Sequence, residues 1–173
     1  MKPHARARAN TCHRVTETQS TAFLPAAIRA KPIQRDTNRV TPTIKVVAAL
    51  MVRDGKLLIC QRTRYQTMPL KWEFPGGKIE HGESAKHALV RELDEELGIQ
   101  PDVGPEVARL RHRYPRGKRT VELIFFLVKD WEGEVDNRIF RDVRWVSRRE
   151  LPSYDFLEAD VKLVKEIAAG KVV

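Results

Sequence analysis

Cysteine is nearly absent: Cys12 and Cys60 are the only two in 173 residues. Two such residues make neither a disulfide framework nor a zinc-ligand spacing, so a reducing, cytoplasmic setting is expected. Long hydrophobic runs are absent too. Apolar stretches such as Leu123 to Val128 are far too short to cross a bilayer, and no segment joins a basic start to a secretory apolar core and a small-residue cleavage site. No membrane association is expected. What remains, 42% hydrophobic and 32% charged, suits one soluble domain with a sizeable core.

Acidic residues are scarce in only one part of the chain. Residues 1–42 hold eight Lys or Arg against Glu17 and Asp36, leaving 24 basic and 21 acidic side chains for the other 131 residues. The net charge of +9 therefore belongs mostly to the first quarter. The globular part has too little excess charge to grip a polyanion, and no stable nucleic-acid complex is expected. Residues 1–42 lack periodicity and are rich in Arg, Thr, Pro and Ala, the pattern of a basic, disordered extension. Their Arg-Ala-Arg-Ala start faintly resembles a transit peptide, but a flexible tail is the preferred reading.

Order is expected over residues 43–173. Ile44 to Val52 and Leu57 to Gln61 flank an Asp54-Gly55 turn, a hairpin pattern. Trp72 to Pro75 is a short strand running into Gly76-Gly77. Ser84 to Leu97 is a helix with Ser84 as N-cap and Gly98 as its stop. Two strands, Val107 to Tyr114 and Thr120 to Lys129, surround a Pro115-Arg116-Gly117 turn. Val143 to Val146 is a strand and Phe156 to Ala169 a helix. The pattern predicts an α/β (α+β) domain, a mixed sheet sandwiched between helices.

The chemistry lies in the helix. At 100° per residue Glu92, Glu95 and Glu96 share an arc of about 100° beside the apolar arc of Leu89, Val90, Leu93 and Leu97. Glu92 and Glu96 are a like-charge (i, i+4) pair, costing a few tenths of a kcal/mol. They also sit in the last turn, where the helix dipole disfavours anions. A divalent cation would offset both penalties, and oxygen-only ligands favour Mg2+, or Mn2+, over zinc. For an isolated Glu-rich helix a solvated acidic face is the simpler explanation.

The full spacing reverses that preference. Gly77 is followed by five residues, Glu83, seven residues, Arg91-Glu92-Leu93, one residue, Glu95-Glu96, one residue, then Gly98-Ile99. This resembles the Nudix box at every defined position. Trp72 to Glu80 is similar to the lead-in of the MutT-like branch, and Val128 to Glu134 to its strand end and turn. The similarity runs from about Ile44 to Ile167.

The resemblance implies a Nudix fold and a magnesium-dependent hydrolase that cleaves nucleoside triphosphates to the monophosphate and pyrophosphate. It places Glu92, Glu95 and Glu96 on the metals with the Gly76 carbonyl, and makes Glu92 the first choice for base or water-orienting group. Glu83 becomes an accessory acid oriented by Arg91. Lys78 and Arg62 are implied at the phosphates, Arg119 at phosphate or base, and Phe74 and Asp155 at the base. Asp155 has an alternative as N-cap of a helix starting at Phe156. Arg109, Arg111 and Arg113 alternate onto one strand face and read as solvated. Arg138-Ile139-Phe140-Arg141 lacks an acid that some relatives use for a further metal. The leading substrate is 8-oxo-dGTP, with CTP, dCTP or 5-methyl-dCTP as the rival. A capping or dinucleotide-polyphosphate hydrolase, a non-catalytic nucleotide-sensing module and a DNA-repair accessory domain rank behind. A monomer or homodimer is expected.

Overall fold

The computed structural model describes residues 43–114 and 119–172; the expected extension over 1–42 and the turn at Pro115 lie outside them. The elements are β1 (Thr43–Arg53), β2 (Lys56–Gln61), β3 (Trp72–Glu73), α1 (Ala85–Leu97), β4 (Gln100–Arg113), β5 (Thr120–Glu132), β6 (Asp142–Ser147), a 3-10 turn at Leu151–Ser153, and α2 (Val161–Ala168). The sheet is mixed, in the order β3-β2-β1-β5-β4, with β6 also on β2. β1 runs parallel to β5 from Thr43↔Thr120 to Met51↔Val128, but meets β2 only at Val52↔Leu57 and Arg53↔Lys56.

That short contact matters for the site. Along the rest of that edge, β1 binds the Gly-Gly segment instead: Val47 N donates to Gly77 O, Ala49 N to Pro75 O, and Ile79 N to Lys45 O. A rigid central strand thus fixes the backbone of residues 75–79. Strand alternation then divides the core. Val47, Ala49, Met51, Ile124 and Phe126 face the α1 residues Leu89, Leu93 and Leu97. Ala48, Leu50, Leu123 and Phe125 face the α2 residues Leu163, Val164 and Ile167.

Two element starts differ from the sequence reading by more than one residue. β4 starts at Gln100 instead of Val107, carrying Pro101, Gly104 and Pro105 through register shifts between Asp102 and Ala108. As the edge strand it bonds one neighbour only, so prolines and bulges cost little there. The second helix starts at Val161, not Phe156. Residues 155–157 extend alongside β3 instead: Trp72 N donates to Asp155 O, and Leu157 N to Trp72 O. Asp155 is therefore no helix N-cap, because Asp160 occupies that position.

α1 ends beneath a lid of outside donors. Ser84 Oγ accepts from His87 N at its start, and Gly98, at φ 67°, closes its end by donating to Asp94 O. Its last turn carries no basic residue. Arg138 Nη1 instead donates to Asp94 O at 2.6 Å, Arg138 N to Glu96 O, and Asp136 N to Leu97 O. The arginine found where an acid was sought thus caps the acidic helix and opposes its dipole.

Candidate active site

Two glycines bring the strand-borne loop against the helix. Gly76, at φ 140°, lies so close to β1 that a Cβ would strike Val47 O. A Cβ on Gly77 would strike the Glu92 carboxylate. Glu96 is 8% exposed, and its Oε2 accepts from Gly76 N at 2.9 Å. Burial, with the charges of Glu73 and Glu92 beside it, pushes its carboxyl up to about 8 against the opposing Gly76 hydrogen bond. An acid in this position resists ionising without a positive partner.

Arg91 organises the remaining acids. Its Nε and Nη2 bind Glu83 Oε1 and Oε2, each at 3.0 Å. Nη1 reaches Glu92 Oε1 at 3.0 Å and Glu95 Oε2 at 3.5 Å, while Nη2 also donates to Lys78 O. The hydrogen bonds from Arg91 hold Glu83 below the usual carboxylate range. Among the described residues no three acidic, histidine or cysteine side chains converge ready-made on one point. The donor set still fits a hard divalent cation: all-oxygen ligands on one helix, with the Glu92 and Glu96 carboxyls largely shielded from solvent.

Arg62 is heavily committed. Nη1 binds both oxygens of Glu73, at 2.9 and 2.7 Å; Nε donates to Thr67 O, and Nη2 to Thr67 Oγ1. Its guanidinium clamps the β2–β3 connection onto β3. Burial raises the Glu73 carboxyl, and Arg62 opposes that rise. Lys78 is exposed on the Gly-Gly segment, and Arg119 is exposed just ahead of β5. Arg109, Arg111 and Arg113 are exposed along β4, with Arg109 paired to Glu106 and Glu122.

Phe74 and Asp155 sit differently from an open pocket wall. Phe74 is 3% exposed and packs on Phe125 and Phe156. The Asp155 side chain is 74% exposed and ion-paired with Lys71. Exposed pairs are worth about 0–1 kcal/mol. Asp155→Asn is accordingly expected to lower kcat/KM less than about fivefold. A larger loss confined to cytidine nucleotides would put this carboxylate at the base.

Sequence reasoning missed Asp160. It is 3% exposed, and its Oδ1 is buried with no hydrogen-bond partner among the described residues. Burial, then the Glu73 charge, pushes its carboxyl up to about 8. Nearby Ala159 belongs to the core cluster of Phe74 and Phe156, with Tyr114 and Tyr154 packed against it. The Leu-Glu-Ala-Asp run gave no periodic signal. Recognising Asp160 as an N-cap requires knowing that α2 starts one residue later.

Comparison with known proteins agrees with this geometry. Residues 42–167 match the family described as NUDIX domain. The chain is 40% identical over 126 residues to the CTP pyrophosphohydrolase of Escherichia coli, covering 73% of this chain and 92% of that one. It is 34% identical over 123 residues to the 8-oxo-dGTP diphosphatase of Haemophilus influenzae, covering 70% and 89%. The solution structure of the E. coli ORF135 protein superposes with a TM-score of 0.66 at 38% identity, over 73% of this chain and 89% of that one. With Glu92, Glu95 and Glu96 on α1 and the family matched over residues 42–167, the chain belongs to the Nudix family and is a MutT-like pyrophosphohydrolase.

Proposed function

We propose that the chain hydrolyses 8-oxo-dGTP to 8-oxo-dGMP and pyrophosphate, with Mg2+ as its usual cation and Mn2+ as a substitute. The observation that carries the base assignment is the buried, unpartnered Oδ1 of Asp160. A buried polar atom without a partner costs about 1–3 kcal/mol, so the site rewards a ligand that completes it. A carboxyl oxygen accepts hydrogen bonds. 8-Oxoguanine offers three donors, N1–H, the exocyclic amine and N7–H, and the last exists only in the oxidised base.

Glu92, Glu95 and Glu96 would hold the cation, which when bound offsets phosphate charge and makes water more acidic. The protein's own groups do the rest. Glu92, fixed against Gly77 and by Arg91, orients the attacking water and takes its proton. Arg91 keeps Glu83 ionised beside it. Lys78 neutralises the phosphate tail as a mobile point charge. Arg62 has most of its donors spent on Thr67 and Glu73, so its phosphate contact is limited to a remaining Nη2 hydrogen.

A second reading, hydrolysis of CTP or dCTP, is favoured by the 40% identity to the E. coli CTP pyrophosphohydrolase. Asp160 would then accept from the cytosine amine. Turnover of 8-oxo-dGTP, dGTP, dCTP, 5-methyl-dCTP and CTP with Mg2+ decides between them. The first reading expects the highest kcat/KM on 8-oxo-dGTP; a dCTP or CTP optimum rejects it.

A further inference from the structure

The last turn of α1 carries acids of the site and is held from two sides. On one side Gly76 N donates to Glu96 Oε2. On the other, the connection between β5 and β6 receives the helix end. Asp94 O accepts from Arg138 Nη1 at 2.6 Å, Glu96 O from Arg138 N, and Leu97 O from Asp136 N. These carbonyls lie where a helix runs out of partners of its own. The approach is close: a Cβ on Gly98 would strike the Arg138 guanidinium, and one on Gly133 would lie 3.3 Å from Gly98 O. The connection is itself anchored. Phe140 is buried in the cluster of Leu89, Leu93 and Leu97, its backbone exchanges two hydrogen bonds with the Asn137 amide, and Arg141 N donates to Gln61 O on β2. Arg138 therefore reaches the helix from a fixed base.

We propose that Arg138 is a positioning residue for the cation: by pinning the last turn of α1 it holds Glu95 and Glu96 in place before the cation arrives. This rests on the assignment of the cation to Glu92, Glu95 and Glu96. Asp94, Glu95 and Glu96 follow one another at the negative end of the helix dipole, and no basic residue in that turn offsets them. The guanidinium stands 3.7 Å from Asp94 Oδ1 and 3.6 Å from Asp136 Oδ2, but at 45% exposure such pairs are weak. The hydrogen bond to Asp94 O is the main hold. Without it the turn frays, the ligand-ready arrangement is populated only part of the time, and cation binding weakens by that fraction. A bound cation restores the arrangement, so turnover at saturating cation is spared. The positive charge of Arg138 acts the other way, by repelling a cation, but solvent screens it.

The test reads Mn2+ binding to the full chain without nucleotide, by electron paramagnetic resonance. Arg138→Met should weaken the Mn2+ Kd about tenfold, the scale on which residues that orient metal ligands act. The Mg2+ concentration for half-maximal turnover should rise in parallel, with kcat at saturating Mg2+ changed less than about twofold. Arg138→Lys, which keeps the charge and an N–H donor, should recover most of the loss. If the Met variant does not fold, Arg138→Ala is held to the same expectation. Unchanged Mn2+ affinity with a lowered melting temperature identifies a structural cap and overturns the proposal, and so does a loss of kcat that saturating Mg2+ does not recover. Tighter Mn2+ binding also overturns it, because the guanidinium then acts by repulsion alone. Glu96→Gln that binds Mn2+ like wild type overturns the cation assignment and this inference with it. Weakened Mn2+ binding in Glu96→Gln but not in Arg138→Met overturns this inference alone.

Discussion

Glu92→Gln and Glu96→Gln are each expected to cut kcat/KM about 10²- to 10³-fold while leaving the melting temperature unchanged or raised. The two readouts separate because the amide keeps the shape of the side chain and removes only its charge. In Glu96→Gln the amide oxygen would still accept from Gly76 N, so the bond that seats α1 under the Gly-Gly segment survives. The same change relieves the crowding of Glu96 with Glu92 and Glu73, the charges that help to push the Glu96 carboxyl up to about 8. Activity needs the opposite of that relief, because the cation is held by negative charge. Glu95→Gln should behave similarly in activity. Its side chain is 59% exposed and paired only loosely with Arg91, so its effect on stability should be near zero. Wild-type turnover by all three variants would place the metal elsewhere. A collapse in melting temperature would make the acids structural.

What the sequence disclosed followed the range of the interactions involved. α1 was legible because every determinant is local: the Ser84 cap, the apolar arc of Leu89, Leu93 and Leu97, and the Gly98 stop. The Gly76-Gly77 turn and the acids of α1 were legible as a fixed spacing. The segment leading into α2 was not. α2 starts late because residues 155–157 bond to β3, two residues long and distant in sequence. No periodicity announces that pairing, and it decides whether Asp155 or Asp160 heads the helix. The first half of β4 was hidden for a related reason. Pro101, Gly104 and Pro105 are breakers locally and become tolerable only on an edge strand, a property of the assembled sheet. Arg62 was implied only at the phosphates because neither Thr67 nor Glu73 is marked in the sequence as its partner.

Asp160→Asn is expected to flatten the alkaline side of the stability profile. Burial gives the folded protein an Asp160 carboxyl near 8, against 3.8 for the unconstrained group. The folded state therefore holds a proton that the unfolded state releases between those values. The stability contributed by the neutral acid is complete below about pH 4 and is lost progressively as the pH rises to about 8. Above that, folding must bury a charge beside Glu73, and neither Glu158 nor the Tyr114 phenol offers it a positive partner. Asparagine carries no such charge at any pH. Wild type and variant should melt within a few degrees of each other at pH 5. At pH 9 the variant should be the more stable, by on the order of 3 kcal/mol or roughly 5–10 °C. The amide keeps one acceptor oxygen, so 8-oxo-dGTP turnover at neutral pH should fall less than about tenfold. Parallel melting curves for the two proteins from pH 5 to pH 9 would show that Asp160 is already ionised or solvated in the fold, contrary to its burial.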